Sequence, residues 1–322
     1  TELKTSLSET LRKKEQTMLF LNRRGYAGFV SCRACGHVMK CPHCDVSLSE
    51  HNGSRLICHY CGYETVKPQV CPSCGSPHIG GFKAGTQQIE KVLEKDFPEA
   101  RVLRMDFDTT RTKDSYEKIL ASFSRHEADI LVGTQMIVKG HDFPDVTLVG
   151  VIAADLSLNM DDYHCGERTF QLLTQAVGRA GRGAKPGRAV IQTYQPEHYS
   201  IQAAATQDYG KFYKEEMSYR MLMDYPPAAH MMTVFGACQD EELLKKAMYY
   251  IEVFIRRVSP KEELHMIGPA AASVGKVKDV YRQVLHLKHV DMVFLTAVRE
   301  KLEQYIEINS GFRKIYIQFD MS

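Results

Sequence analysis

Eight of the ten cysteines in this 322-residue chain fall in four Cys-x-x-Cys pairs between Cys32 and Cys74, and that stretch cannot fold around an ordinary hydrophobic core. From Ser31 to about Gly80 the chain is rich in Cys, His, Gly and Pro and has few long aliphatic side chains, so a metal must substitute for the core there. Each pair, Cys32/Cys35, Cys41/Cys44, Cys58/Cys61 and Cys71/Cys74, is a loop able to place two thiolates on one tetrahedral ion. Eight thiolates make two zinc sites of four. Thirteen residues separate Cys44 from Cys58, enough for a short hairpin in which Asn52-Gly53 turns between Val46–Leu48 and Arg55–Ile57. This spacing favours an inner site of Cys41, Cys44, Cys58 and Cys61. The outer pairs, Cys32/Cys35 and Cys71/Cys74, then close a second site across the base of the segment. His37, His43 and His59 lie among them and imidazole is a good zinc ligand, but eight thiolates already fill two tetrahedra, which leaves the histidines as surface or supporting groups. Redox chemistry is the other use of such pairs; four in one short segment suit structural metal better.

Ten cysteines could also mean disulfides in an oxidising compartment, but eight in four Cys-x-x-Cys pairs, with Thr1 to Gln16 too charged for an export signal, make metal the better expectation. No apolar run is long enough to span a bilayer, and the expected location is the cytoplasm. Hydrophobic residues make up 44% and charged residues 25%, the balance of a globular protein with room for two or three domains. The net charge of +2 demands no polyanionic partner, so any nucleic-acid surface must be a local patch. Cys165 and Cys238, away from the cluster, read as small, partly buried hydrophobes.

Outside the cysteine segment, helical and extended patterns alternate. Leu3, Leu7 and Leu11 have helical spacing and Met18–Leu21 is a short apolar strand, followed by the turn Asn22-Arg23-Arg24-Gly25. After Gly80-Gly81, Thr86 is placed to cap a helix reaching about Asp96, its hydroxyl accepting from first-turn amides while Glu90 favours the positive end. Strand Arg101–Met105, helix Lys113–Phe123, strand Asp129–Val132, strand Thr147–Ile152, a helix from Gly166 to Val177 and strand Arg188–Thr193 complete an α/β pattern, a mostly parallel sheet covered on both faces. Glu197–Leu222 reads as a helical connector that Asp224-Tyr-Pro-Pro227 breaks. Beyond it the order is strand Met231–Ala237, helix Glu241–Val258, strand Leu264–Ile267, strand Tyr281–Leu287, helix Asp291–Ile308 and strand Lys314–Phe319, the βαββαβ order of a ferredoxin-like α+β domain. The expected divisions are 1–30, 31–80 (zinc insertion), 81–196, 197–227 (connector) and 228–322.

Two motifs in fixed order carry chemistry. Gly133-Thr134-Gln135 follows a strand and leads to Lys139-Gly140-His141-Asp142-Phe143-Pro144, and Gln175-Ala-Val-Gly-Arg-Ala-Gly-Arg182 ends the later helix. Arginines three apart, interleaved with glycines, suit a tight helix end that presents guanidinium forks to phosphates; a glycine-rich turn with solvated charges is the plain alternative. GTQMIVKGHDFPDVT and QAVGRAGR resemble motifs V and VI of superfamily 2 helicases, and with the clustered cysteines, Leu19–Tyr26 and Gly85–Glu90 the chain resembles the bacterial replication-restart, or primosomal, DNA helicases over nearly all its length. The resemblance implies a RecA-like second motor lobe with the two-zinc insertion after its first strand, and the same nested zinc arrangement. It implies that Arg182, with Arg179 beside it, meets the charge of phosphoryl transfer, that Gln175, Gly140 and Asp142 lie near the nucleotide, and that Thr134 contacts a DNA phosphate. Through motif IV it also brings Arg23 or Arg24 near nucleotide or DNA.

No GxxxxGK[ST] and no Asp-Glu-x-His after a hydrophobic strand occur in this sequence, so the groups that hold triphosphate and magnesium are missing and the chain alone is expected to be half a motor without ATPase activity. The stretch Ala270–Arg282 reads as a flexible loop in which Lys276, Lys278, Tyr281 and Arg282 suit phosphate contact and base stacking, although exposed lysines are usually only solvated. What the resemblance implies for the whole protein is ATP- and Mg²⁺-dependent 3′ to 5′ DNA unwinding by a monomer at abandoned forks. The implied partners are branched and single-stranded DNA, single-stranded-DNA-binding protein and primosome loader proteins. The competing expectation is a non-catalytic, zinc-dependent DNA-binding or assembly module.

Overall fold

A computed structural model describes the chain except residues 22–29, 33, 36, 45, 52–54, 59, 82–84, 108, 111, 138–141, 159–161 and 260–263. Along the chain run α1 (Glu2–Arg12), β1 (Gln16–Leu21), β2 (Val30–Cys32), β3 (Ser49–His51), β4 (Arg55–Ile57), β5 (Glu64–Val66), β6 (Ile79–Gly81), α2 (Thr86–Asp96), β7 (Val102–Met105), α3 (Lys113–Ser124), β8 (Ile130–Gly133) and β9 (Val146–Ile152). There follow α4 (Cys165–Val177), β10 (Arg188–Ile191), α5 (Tyr199–Thr206), α6 (Tyr209–Leu222), β11 (His230–Cys238), α7 (Glu241–Val258), β12 (His265–Val277), β13 (Val280–His289), α8 (Met292–Ile308) and β14 (Tyr316–Met321). The chain divides into two compact units, residues 1–26 with 83–216, and residues 27–82 with 217–322.

The first unit is built on a parallel five-stranded sheet in the order β10-β9-β1-β8-β7. Burial follows position: β1 and β8 are buried throughout and β9 nearly so, whereas the edge strands β7 and β10 are half-covered. A sheet buried on both faces needs apolar residues in both phases of the strand, and the sequence supplies them. Leu19, Ile130, Val132 and Leu148 face the side where α1 and α2 contribute Leu7 and Leu93. Met18, Phe20, Leu131, Val149 and Val151 face the other, against Phe123 of α3, Phe170 and Leu173 of α4, Ile201 of α5 and Phe212 of α6. Gly150 lets α1 come close, since a Cβ there would lie 2.7 Å from Leu3.

One local expectation fails. Gly85, not Thr86, stands at the N-cap of α2, and the Thr86 hydroxyl donates to Asp106 Oδ2 at 2.5 Å. Glu90 is likewise drawn to Arg104, at 2.8 Å. A part-buried carboxylate needing donors outcompetes the helix amides for that hydroxyl. The expected single connector is two helices, α5 and α6, broken where Gln207 adopts a left-handed conformation.

In the second unit, α7 and α8 pack through Leu244, Met248, Ile251, Leu295 and Leu302 on a four-stranded antiparallel sheet ordered β12-β13-β11-β14. Asp240 and Asp291 cap the two helices by accepting from Leu243 and Val293 amides. The main departure from expectation is the stretch 270–282. It is no flexible loop but the end of a long hairpin, β12 and β13, whose turn residues Lys278 and Asp279 both have positive φ. That geometry matches the right-handed twist of the strands it joins. The cysteine segment contributes two small sheets, β2-β6 and β3-β4-β5. The Asn52-Gly53 turn expected between β3 and β4 lies outside the described residues, while His51 pairs with Arg55 beside it.

Candidate functional site

The four cysteine loops share one local closure. The amide of the first cysteine of each pair donates to the carbonyl five residues on: Cys32 to His37, Cys41 to Val46, Cys58 to Tyr63 and Cys71 to Ser76. Gly62 and Gly75, just after the second cysteine of two loops, take the positive φ that turns the chain back. The loops assemble in two sets of four sulfurs, Cys41, Cys44, Cys58 and Cys61, and Cys32, Cys35, Cys71 and Cys74, each set lying within 4.8 Å. The pair separations of 3.6 Å (Cys41 to Cys61), 3.6 Å (Cys32 to Cys74) and 3.7 Å (Cys35 to Cys71) approach the edge of about 3.8 Å that a tetrahedron with zinc–sulfur bonds near 2.3 Å requires. Two four-cysteine clusters of this size suit zinc.

Electrostatics point the same way. Amide hydrogen bonds from Cys35 and Ala34 bring the Cys32 thiol down to about 6, while burial pushes Cys41 up to about 12. Burial also opposes ionisation of Cys58, yet the amides of Cys61 and Tyr60 bring it down to about 7. The Ser76 amide favours the Cys74 thiolate, but the thiols of Cys35 and Cys32, with burial, push it up to about 12. Neighbouring thiols cannot all ionise together unless a cation offsets their charge, which a divalent ion bound by four thiolates does. Further amides, of His43, Tyr63 and Ser73, donate to Cys41, Cys61 and Cys71 at 3.4 Å. His43 is not among the ligands: its Nδ1 pairs with Asp279 at 2.6 Å. His59 lies outside the described residues.

The tip of the β12–β13 hairpin sits on the inner cluster. Val277, 7% exposed, packs with Val30, Met39, Cys41, Cys44, Leu48, Leu56 and Cys58. Around it, Lys276 Nζ donates to the Pro42 carbonyl at 2.9 Å, the Lys278 amide to Cys44 Sγ at 3.3 Å and the Asp279 amide to the His43 carbonyl at 3.0 Å. Of the residues expected to meet DNA here, Lys276 is thus engaged within the protein and lies 5.7 Å from the Tyr281 ring, Arg282 lies over Phe235, and the Lys278 side chain is exposed. Val277 was missed by the sequence reading; the only signal was an apolar residue between two lysines.

In the first unit the two helicase-like motifs are locked together by backbone. The chain leaves α4 through Gly178, and the Gly181 amide donates to the Val146 carbonyl at 3.0 Å, at the first residue of β9. Gly181 has φ +72 and abuts Gly187, and a Cβ on Gly183 would fall on the Pro144 carbonyl. The glycines therefore admit the protein's own backbone. Arg182 is left between them, its Nε donating to the Gly178 carbonyl at 2.8 Å and its Nη1 3.3 Å from Asp142 Oδ1, both side chains partly open to solvent. Arg179 is half-buried, and burial, then the charge of Arg182, hold its guanidinium below the ordinary value. Gln175 is exposed one turn earlier on α4. Gly140, Arg23 and Arg24 lie outside the described residues.

These groups gather at the end of the sheet where β9 begins, whereas Thr134, half-buried, leaves the opposite end after β8. Roughly one strand length, about 13 Å for four residues, separates the two edges. Gly133 is obligatory at that exit, since an added Cβ would lie 2.6 Å from the Met105 carbonyl.

Residues 41–65, which contain the inner cluster, match the PriA DNA helicase Cys-rich region (CRR) domain, and residues 81–184 match the helicase conserved C-terminal domain. The chain is 46% identical over 323 residues to the replication restart protein PriA of Bacillus subtilis, covering 100% of this chain and 40% of that protein. It is 44% identical over 307 residues to the replication restart protein PriA of Synechocystis sp., covering 94% and 37%. The chain thus spans about two fifths of the length of these relatives. Among solved structures it is similar to the Pyrococcus furiosus Hef helicase domain at 16% identity and a TM-score of 0.30, covering 64% of this chain and 28% of that one, so the fold rests on the strand order above.

Proposed function

The chain belongs to the PriA family of replication restart proteins, and from that premise we propose that it is the second motor lobe, zinc-binding segment and C-terminal domain of an ATP-dependent 3′ to 5′ DNA helicase that recognises abandoned forks and starts primosome assembly. The observation that carries the motor reading is the seating of the arginine turn on residues 142–146, which leaves Arg182 open to solvent beside Asp142. Preorganised positive charge of this kind stabilises a transferring phosphoryl group without reorganisation at the moment of reaction. In this reading Arg182 exchanges Asp142 for phosphate, Arg179 supports it, Gln175, Gly140 and Asp142 lie at the nucleotide, and Thr134 meets a DNA phosphate at the far edge of the sheet. ATP and Mg²⁺ are held by groups this sequence lacks. Two zinc ions, held by the two sets of four cysteines, would organise the cysteine segment in place of a hydrophobic core. Lys278 is the hairpin residue best able to reach DNA, with Lys276, Tyr281 and Arg282 behind it.

The sheet order and the βαββαβ sequence support a ferredoxin-like C-terminal domain. The partners in this reading are branched and single-stranded DNA, single-stranded-DNA-binding protein and loader proteins, met by a cytoplasmic monomer. Among the described residues no helix is long and apolar enough to cross a membrane. A non-catalytic DNA-binding or assembly module is the second reading, favoured by the joining of residues 27–82 with 217–322 in one compact unit.

The test is steady-state ATPase and DNA affinity in the longer protein. Arg182→Ala should lower turnover by roughly 10³-fold or more with little loss of ATP or DNA binding, and Arg182→Lys should recover little, lacking the planar fork. Near-normal turnover in both Arg182→Ala and Arg179→Ala would leave the module reading in place.

A further inference from the structure

Phe107 is 80% exposed in the turn that follows β7. Single apolar residues on a surface need no explanation in themselves. What sets this one apart is how firmly the backbone beside it is held. The Asp106 amide donates to Thr109 Oγ1 at 2.9 Å and the Thr109 amide to Asp106 Oδ1 at 3.0 Å. The Thr109 and Thr110 hydroxyls both donate to the Asp106 carbonyl, at 3.1 and 2.6 Å. Asp106 Oδ2 in turn takes the Thr86 hydroxyl at 2.5 Å and lies 3.0 Å from Arg104 Nε, which ties the turn to the start of α2 and to β7. The ring is thus carried beside an anchored Asp106, exposed to solvent.

Its position gives the ring a use. Met105 is in register with Gly133, so the turn after β7 and the turn carrying Thr134 leave the sheet side by side, and Thr110 Oγ1 lies 3.6 Å from Met136 Sδ across the gap. Proteins that track a single strand combine a contact to its phosphates with aromatic faces on which bases stack. The geometry points to Phe107 as a stacking platform for one nucleobase of single-stranded DNA, beside the phosphate contact of Thr134; the inference rests on the helicase reading above. A stacked base is accepted whatever its identity, so the contact holds the strand without selecting sequence.

The test uses the longer protein and an oligodeoxynucleotide carrying 2-aminopurine, whose fluorescence falls on stacking. Phe107→Ala should weaken single-strand binding by roughly 5- to 100-fold and abolish the quench at one position, as expected for loss of one base–aromatic stack. Phe107→Trp should keep both, and Phe107→Leu, apolar but without a π face, should behave as Ala. Because the ring is exposed, the thermal transition should not move in any of the three. Binding of Phe107→Ala at the native strength, or a Leu variant equal to the native protein, overturns the stacking role while the helicase reading stands. Failure of the unaltered protein to bind single strands overturns both.

Discussion

The backbone amide of Lys278 donates to the Sγ of Cys44 at 3.3 Å across 234 residues of sequence. A hairpin of the C-terminal sheet therefore supplies a hydrogen bond to a candidate zinc ligand, and Val277 beside it completes the small apolar cluster around that ligand. Donors to a metal-bound thiolate tune its basicity and fix its direction, so integrity of the inner site is coupled to the position of the hairpin.

Val277→Ala should lower the stability of the inner cluster by about 2 kcal/mol, from lost burial and the cavity left behind. With a colorimetric chelator in excess, zinc release should separate into two phases, the inner ion leaving faster than in the native protein and the outer unchanged. Uniform acceleration of both would show that the hairpin does not act through the inner site.

Cys58→Ser and Cys71→Ser should each reduce the zinc content from two ions to one, removing the inner and the outer ion respectively, and the double variant should hold none. Elemental analysis distinguishes this from a shared site, in which either substitution would release both. Acid should also release the ions, since protons compete with zinc for each thiolate.

Gly183→Ala should destabilise the first unit by roughly 2–3 kcal/mol, because the new methyl meets the Pro144 carbonyl rather than a flexible side chain. Gly181→Ala adds a positive φ of 72° to a similar clash with Gly187. Both should lower the thermal transition with zinc retained. A native transition in both would mean that the turn does not need this close approach.

Asp129 accepts from the side chain of Arg101 at 2.7 and 3.0 Å and from its amide at 2.9 Å, and these bonds hold its carboxyl below the ordinary carboxylate value. A group whose folded pKa is depressed adds stability that is complete above its unfolded pKa, near 4, and is lost as pH falls through the folded value. Asp129→Asn should therefore flatten the acid limb of the stability curve between those two values and lower stability at neutral pH. Denaturant titrations from pH 7 to pH 2 measure this; parallel curves for the two proteins would remove Asp129 from the acid response.

Spacing favoured the grouping of the cysteines that the family resemblance also implied, because a tetrahedral ion fixes how near its ligands must come and a hairpin of thirteen residues limits which pairs can meet. Strand and helix order was legible for a similar reason. The sheet of the first unit is buried on both faces, so its strands stand out as apolar runs. The glycines among the arginines were legible as a place of close approach, but not what approaches: Pro144 and Gly187 are set there by the sheet. Thr86 had the look of a cap until the fold brought Asp106, a stronger claimant, within 2.5 Å of its hydroxyl. Most of all, Ala270 to Arg282 read as a flexible basic loop suited to DNA because nothing local distinguishes a lysine free to meet a phosphate from one donating to Pro42. Periodicity and ligand spacing act within a few residues and are written in order along the chain, whereas docking of the hairpin on the cysteine cluster needs two surfaces built far apart in sequence, and only the folded chain brings Val277 to Cys44.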